Sequence, residues 1–352
     1  MKPRQKKIVY WTTACLEPEI EAVSKEVSEL AAIFKPAFIF AINPNILFKF
    51  SFQRRHIGFN HRFYPLLRLL VPILERWGHI NHVYGNLCPW LFYKGLKKNS
   101  VIHTIASEQG DMNAAFLSKC KIIVVQTKAM MDRLISFGVD RKKIFLVYPG
   151  IDLKKFFFDR TYPSLSSPKV LFATAPRQEE ELEERGVYVL LEAARLNTSI
   201  QYTFLFRKWD RNYTSFPKVR NFITAHGLTN VTLRNEFVAD MAKEYRDHHF
   251  TIIPFIQENG GKQCPNSALE SIASGRPVLV SEASAFSEFV RENHCGVVYN
   301  NTPQGIVQTI CNSVSVYRKL VFETSGVAST FFDLTHYLSR YRRFYKMLNT
   351  AL

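Results

Sequence analysis

The chain has 352 residues, 47% of them hydrophobic and 22% charged, which argues against a disordered protein and exceeds one ordinary core; two α/β domains of similar size fit it. The net charge of +16 is uneven: residues 1–168 hold 25 Lys and Arg against 12 Asp and Glu, so the first half is expected to meet something anionic, whether lipid, a phosphorylated acceptor or nucleic acid. Six scattered cysteines without a CxxC or Cys/His spacing argue against a metal motif and read as reduced thiols of a cytoplasmic protein, and neither a signal peptide nor a membrane-spanning window is expected.

Residues 7–11 read as a strand, 17–34 as a helix with Ile20, Val23, Val27, Leu30 and Ile33 near helical spacing, and 38–41 as the next strand. Beyond a basic segment, residues 80–84, 101–105, 121–126 and 144–148 read as strands, with a helix over 128–137 closed by Gly138. Residues 157–168, with Pro163, Ser164, Ser166, Ser167 and Pro168, read as a linker. The alternation then restarts. Strands are expected over 170–174, 202–206, 231–233, 250–255 and 277–281, interleaved with helices over 188–196, ending at 222–227, and over 241–246 and 266–274. Residues 332–348 close the chain as an amphipathic helix. Such alternation predicts parallel βαβ units, hence an α/β protein with two Rossmann-like, doubly wound domains: 1–156, a linker at 157–168, 169–331, and the closing helix 332–352.

The most informative stretch is PFIQENGGKQCPNSALESIASGRPVLVS, residues 254–281. A strand runs into a loop with Gly260, Gly261, Pro265, Asn266 and Ser267, and a helix follows that carries Glu270 in its first turns. Free N–H groups and the positive dipole end make such a helix start a natural diphosphate site, and a carboxylate just inside it can accept from ribose hydroxyls. An ordinary capped helix with a dipole-complementing Glu fits these residues equally well.

This stretch resembles the donor-site signature of the family 4 retaining glycosyltransferases, glycosyl transferases group 1, commonly EGFxxxxxEAxxxGxPVI. Glu270 matches its second Glu, which in the family holds the nucleotide ribose, and Gly275, Pro277 and Val278 match the GxPV that follows. Residues 142–156, KKIFLVYPGIDLKKF, look like the family's interdomain motif, with Gly150, Asp152 and Phe156 in place. Residues 185–196, RGVYVLLEAARL, look like its KGxxxLLeAxxxL, and residues 231–240 with Tyr245 and 250–254 look like a further ordered motif. The resemblance covers 120–352 by motif and 1–119 as a fold pattern.

The resemblance implies a GT-B fold: two Rossmann-like domains facing across a cleft, with the C-terminal helix crossing back to the first. It implies transfer of a sugar from a UDP- or GDP-sugar, with retention, without metal or cofactor, to a lipid-linked or polyanionic glycan acceptor. The second domain would bind the donor through Arg177, Arg185, backbone near Gly260 and Gly261, Asn266, Ser267 and Glu270, with Phe237 and Val238 flanking the nucleobase. The family's first Glu falls at Lys262; either Glu258 substitutes for it, or the donor differs, or activity is lost, while Lys262 could instead pair with the diphosphate. The arginine of the family's GRL is missing in register, and Arg177 lies two residues on, where it could reach the same phosphate or instead pair in solvent with Glu179, Glu180, Glu181, Glu183 and Glu184. Arg185 replaces the family Lys and, with Lys262, is expected to stabilise charge on the leaving diphosphate. In the first domain Glu108 and His103 are the candidate acceptor-side catalytic residues, although a strand histidine also suits a core.

Residues 49–98 hold nine Lys and Arg against Glu75 alone. Within them, residues 63–77, FYPLLRLLVPILERW, suit an interfacial helix on an anionic membrane, though Pro65 and Pro72 argue against one continuous helix. A buried helix with arginines at its rim is the alternative. The protein is therefore expected in the cytoplasm or peripherally at the inner face of a membrane. Nucleic acid is disfavoured, since no helix-turn-helix, RRM-type or zinc pattern accompanies the basic residues. Two rival functions are a catalytically degenerate GT-B binding protein and a glycosyltransferase acting on nucleic acid.

Overall fold

The computed structural model describes residues 7–87, 96, 101–108, 110–206, 214–258 and 261–350. The chain divides into two compact units, Met1–Pro149 with Tyr337–Leu352, and Gly150–His336.

The first unit is built on eight strands: β1 (Ile8–Thr12), β2 (Ala37–Ile42), β3 (Phe48–Ser51), β4 (His56–Phe59), β5 (Ile80–Asn86), β6 (Val101–Ser107), β7 (Cys120–Val125) and β8 (Ile144–Leu146). Their order is β3-β4-β2-β1-β5-β6-β7-β8, parallel throughout except for the β3–β4 hairpin. The central strands are continuous apolar runs such as IVYWT and CKIIVV, as burial on both faces requires. The β3–β4 hairpin departs from expectation, because Phe48 and Phe50 of β3 are exposed and charged residues interrupt the pattern. The first helix also starts later than expected, at Ala22, and ends at Ile33. Residues 15–21 form a loop instead, held where Glu21 Oε2 accepts from the Cys15 N–H at 2.7 Å and Ser24 Oγ accepts from the Glu17 N–H at 3.2 Å. The expected helix over 63–77 is divided into a short 3-10 turn and two helices, Tyr64–Leu67 and Leu70–Trp77. Pro65 and Pro72 each sit in a first turn, where a missing N–H costs no hydrogen bond.

The second unit contains β9 (Lys169–Phe172), β10 (Gln201–Phe206), β11 (Val231–Asn235), β12 (Phe250–Ile253), β13 (Val278–Ser281) and β14 (Gly296–Tyr299). The order β11-β10-β9-β12-β13-β14, all parallel, reverses direction between β9 and β12. Helices Glu179–Glu184, Ser287–Asn293, Pro303–Ser315, Tyr317–Glu323 and Val327–Phe331 add to those expected. Residues 157–168 carry no regular element, yet they are fastened to this unit. The buried Arg276 guanidinium donates to the carbonyls of Asp159 at 2.8 Å, Arg246 at 3.0 Å and His248 at 3.1 Å, and also to Thr161. Gly275, at φ +80°, permits this: a Cβ there would lie 2.7 Å from Asp159 O.

The terminal helix, Leu334–Thr350, contributes to the first unit from Tyr337 onward. Tyr337, Tyr341 and Tyr345 recur every four residues and present one buried stripe to the sheet. Tyr345 OH lies 2.9 Å from both Tyr10 OH and His82 Nδ1, and His82 Nε2 lies 2.8 Å from Thr104 Oγ1. That hydroxyl in turn meets Tyr341 OH at 2.9 Å. Tyr337 OH meets Tyr84 OH at 3.1 Å, and Tyr84 donates to the buried Glu26 carboxylate at 2.6 Å. Burial raises the phenol pKa of Tyr345, so each ring stays protonated and able to donate. Replacing Tyr345 with Phe strands Tyr10 and His82 together, and urea titration should show a loss of about 1–3 kcal/mol. An unchanged midpoint would mean that the network contributes nothing.

Candidate functional site

In an open parallel sheet, ligands bind beyond the carboxyl ends of the strands where the order reverses. In the second unit that point lies between β9 and β12. Arg177 follows β9; Glu258, Gly261 and Lys262 follow β12 and lead into the helix Asn266–Ala273. Gly260, expected in the same loop, lies outside the described residues.

The helix starts after Pro265 with no side-chain cap, so its first N–H groups remain for solvent or ligand. Ser267, in its first turn, is buried, and its hydroxyl has no hydrogen-bond partner among the described residues. Lys262 Nζ donates to Cys264 O and to Asn266 Oδ1, each at 2.9 Å, which holds its charge beside the helix start. A cation there opposes the helix dipole unless an anion lies against both. Further along the helix, Glu270 is buried, and its Oε2 accepts from Tyr245 OH at 3.0 Å. Tyr245 is itself buried and packs against the Phe156 ring.

Arg185 reaches this sheet end from another helix. Gly186, which follows it, has φ 65°, and a Cβ there would stand 1.8 Å from Pro254 O, so only glycine allows the approach. The Ile256 N–H donates to Glu184 O at 3.1 Å and closes the same contact. Asn301 Nδ2 donates to Pro254 O at 2.7 Å from the opposite side of the chain order. Arg185 pairs with Glu181 at 2.9 Å, and the Arg177 N–H donates to the same carboxylate at 3.0 Å. The structure thus joins Arg177 to Arg185 through Glu181, and Lys262 to Asn266. Phe237 and Val238 stand beyond β11, Phe237 exposed and Val238 half-buried, and Glu258 is exposed. Among the described residues, no group of three His, Cys, Asp or Glu side chains is disposed to hold a metal ion.

In the first unit, Glu108 follows β6 as a buried carboxylate paired with Arg133 at 3.1 Å. His103 lies inside β6, fully buried, with its ring edge-on to Phe116. Its Nε2 lies 2.9 Å from Asn86 O, a pure acceptor, so that nitrogen carries the proton. Burial pushes its pKa down to about 4. The structure thus places this candidate as a neutral ring packed in the core, the alternative that a strand histidine also allowed. Two contacts went unforeseen, that of Tyr245 with Glu270 and that of Asn301 with Pro254, while Glu181, expected as a solvent partner of Arg177, pairs with the Arg185 guanidinium. Only the i, i+4 spacing of Glu181 and Arg185 was available as a signal; the other pairs join elements distant in sequence.

Residues 169–315 match the family Glycosyl transferases group 1. No curated protein matches the sequence. A glycosyltransferase from Rickettsia africae ESF-5 superposes with a TM-score of 0.74 at 16% identity, over 98% of this chain and 99% of that one. Sucrose-phosphate synthase from Thermosynechococcus elongatus gives 0.73 at 14%, over 99% and 100%. Anabaena HepE, solved with UDP and glucose, gives 0.73 at 12%, over 97% and 100%. At these identities the likeness establishes the fold, which is GT-B.

Two outcomes test this geometry. His103 should make the protein acid-sensitive: between the unfolded pKa near 6.5 and the folded value of about 4, only the unfolded chain takes up the proton. Stability should therefore fall as pH drops through that window, by about 1.4 kcal/mol per pH unit from this residue. His103→Gln should flatten the slope between pH 6.5 and 5 by that amount, with His82 leaving a remainder. Gly186→Ala should lower stability by at least about 2 kcal/mol, through left-handed strain and overlap with Pro254; full retention of the melting temperature would refute the tight approach.

Proposed function

We propose that this glycosyltransferase of the GT-B type takes its sugar from a nucleoside diphosphate donor, UDP- or GDP-linked, held by the second unit. The observation that supports this most is the buried Ser267 hydroxyl, without a hydrogen-bond partner among the described residues, at an uncapped helix start. It marks a place where an oxygen-rich anion completes the structure, since a buried hydroxyl without a partner costs free energy that a phosphate oxygen recovers. The UDP in the HepE structure is consistent with this class of donor.

In this reading the diphosphate lies against the N–H groups of Asn266 and Ser267, with Arg177, Arg185 and Lys262 around it. The ribose hydroxyls donate to Glu270, which Tyr245 holds in place. Gly261 admits the donor chain closely, and Phe237 and Val238 flank the base. As the bond from the anomeric carbon to the diphosphate breaks, charge grows on the leaving phosphate, and these fixed cations and N–H groups stabilise it without a metal. An acceptor hydroxyl oxygen forms the new bond to the anomeric carbon, with net retention, and its proton passes to the leaving phosphate oxygen. Glu108, held by Arg133, is the candidate acceptor-side residue of the first unit. The basic first half suits a lipid-linked or polyanionic glycan acceptor, presented to a cytoplasmic or peripheral protein at the inner face of a membrane.

Thermal unfolding with a panel of nucleotides tests this directly. One nucleoside diphosphate at a hundredfold excess over its Kd should raise the melting temperature by about 5–10 °C. Glu270→Ala should lose most of that shift, and Ser267→Ala part of it. A well-folded wild-type protein that responds to no nucleotide would refute the donor reading and favour a degenerate binding protein.

A further inference from the structure

The first unit carries an apolar surface that its own described residues leave open. In the segment over 64–77, Leu67 and Val71 turn inward onto Val9, Trp11, Phe40 and Ile42. Leu66, Leu69, Leu70, Ile73 and Trp77 are exposed instead, Leu69 at 74%. These five follow i, i+3, i+4, i+7 and i+11, the spacing of one helical stripe. Arg68 and Leu69, between the two short helices, keep right-handed helical dihedrals, so the stripe continues across the break. The segment is therefore apolar on two faces, of which the protein uses one.

Edge strand β3 extends the open face. Phe48 pairs opposite Phe59, Phe50 opposite Ile57, and Ile57 in turn opposite Phe40. Residues in direct register share a side of the sheet, so Phe48 and Phe50 lie on the side that the 64–77 segment covers. Both are exposed, and Phe52 at the hairpin turn is exposed at 84%. Around this face, Arg55, Arg62, Arg68 and Arg76 are exposed, and none pairs with a carboxylate among the described residues. The only acid between residues 48 and 77, Glu75, is buried. Lys94, Lys97 and Lys98, the rest of the basic run, lie outside the described residues.

We propose that this face lies on an anionic lipid bilayer: the β3 phenylalanines and the Leu66–Trp77 stripe enter the headgroup boundary, and the four arginines bind lipid phosphates. Charge complementarity selects this occupant. A second copy packed face to face would set arginine against arginine, and no helix among the described residues is long and apolar enough to cross a membrane. The surface therefore rests on the bilayer rather than spanning it. The inference does not depend on sugar transfer, because binding is read without donor or acceptor.

Flotation of the full chain with phosphatidylcholine vesicles, with and without phosphatidylglycerol, tests it. The protein should float with the anionic vesicles and not with the neutral ones, and added salt should weaken binding. An Arg62→Gln, Arg68→Gln, Arg76→Gln variant should lose at least about tenfold in partition. A Phe50→Ser, Ile73→Ser variant should also lose binding, with the melting temperature of both variants confirming that they fold. Absence of wild-type flotation at low salt, or equal flotation by wild type and both variants, would overturn the proposal. A concentration-dependent dimer that the Phe50/Ile73 variant dissociates, without vesicle binding, would assign the face to a second copy instead.

Discussion

The approach of Gly186 to the backbone of Pro254 governs how the second unit presents its charges. A parallel sheet delivers all its strand ends to one edge, but it does not by itself bring a helix start from one connection onto the loop of another. Here that step depends on a missing side chain. With nothing at Cβ, the turn before the helix Val187–Leu196 settles on the carboxyl end of β12, and the Ile256 N–H bonds back to Glu184. Arg185 arrives with it. Glu181, one turn earlier, then holds both the Arg185 guanidinium and the backbone N–H of Arg177, so one carboxylate orders a cation and the neighbouring chain. Arg177 and Arg185 come to this edge from segments far from Lys262 in sequence.

The same unit treats its two buried charged groups near β12 in opposite ways. Arg276 is surrounded by carbonyls from Asp159, Thr161, Arg246 and His248, and serves to bind the 157–168 segment down. Its donors are well supplied, and it has no reason to meet a ligand. Glu270 is also buried and accepts from the Tyr245 phenol, while the hydroxyl of nearby Ser267 has no hydrogen-bond partner among the described residues. Saturated polar groups build structure. The unsaturated Ser267 hydroxyl at an uncapped helix start, beside Lys262, is where the proposed donor finds a contact.

Much of this fold could be read from residue pattern, and for a physical reason. Buried parallel strands such as IVYWT and FTII have no solvated face, so they stand out as short unbroken apolar runs. The β3–β4 hairpin lacked that signature because Phe48 and Phe50 face outward and the basic residues of its turn read as loop. The helix Glu179–Glu184 was hidden for the opposite reason: EEELEE has one apolar residue, Leu182, and its place is set by packing and not by periodicity. The stretch around Asn266 and Glu270 was legible because its residues are adjacent in sequence. Tyr245 was recognisable as a motif position, but its bond to Glu270 joins two helices and leaves no local trace. His103 was legible as a strand residue, yet only the tertiary structure shows that its ring lies in the core.

The tyrosine stripe of the terminal helix has a consequence for how the chain is made. Residues 8–146 supply every strand of the first sheet, and they leave the ribosome long before Tyr337, Tyr341 and Tyr345 have been translated. During that interval Tyr10 lacks its Tyr345 partner, and His82, Thr104 and Tyr84 keep only the His82–Thr104 contact and the bond to Glu26. The second unit, Gly150–His336, is contiguous and meets no such delay. The first unit therefore cannot complete its polar network until the last residues of the chain have been made, although its strands come first.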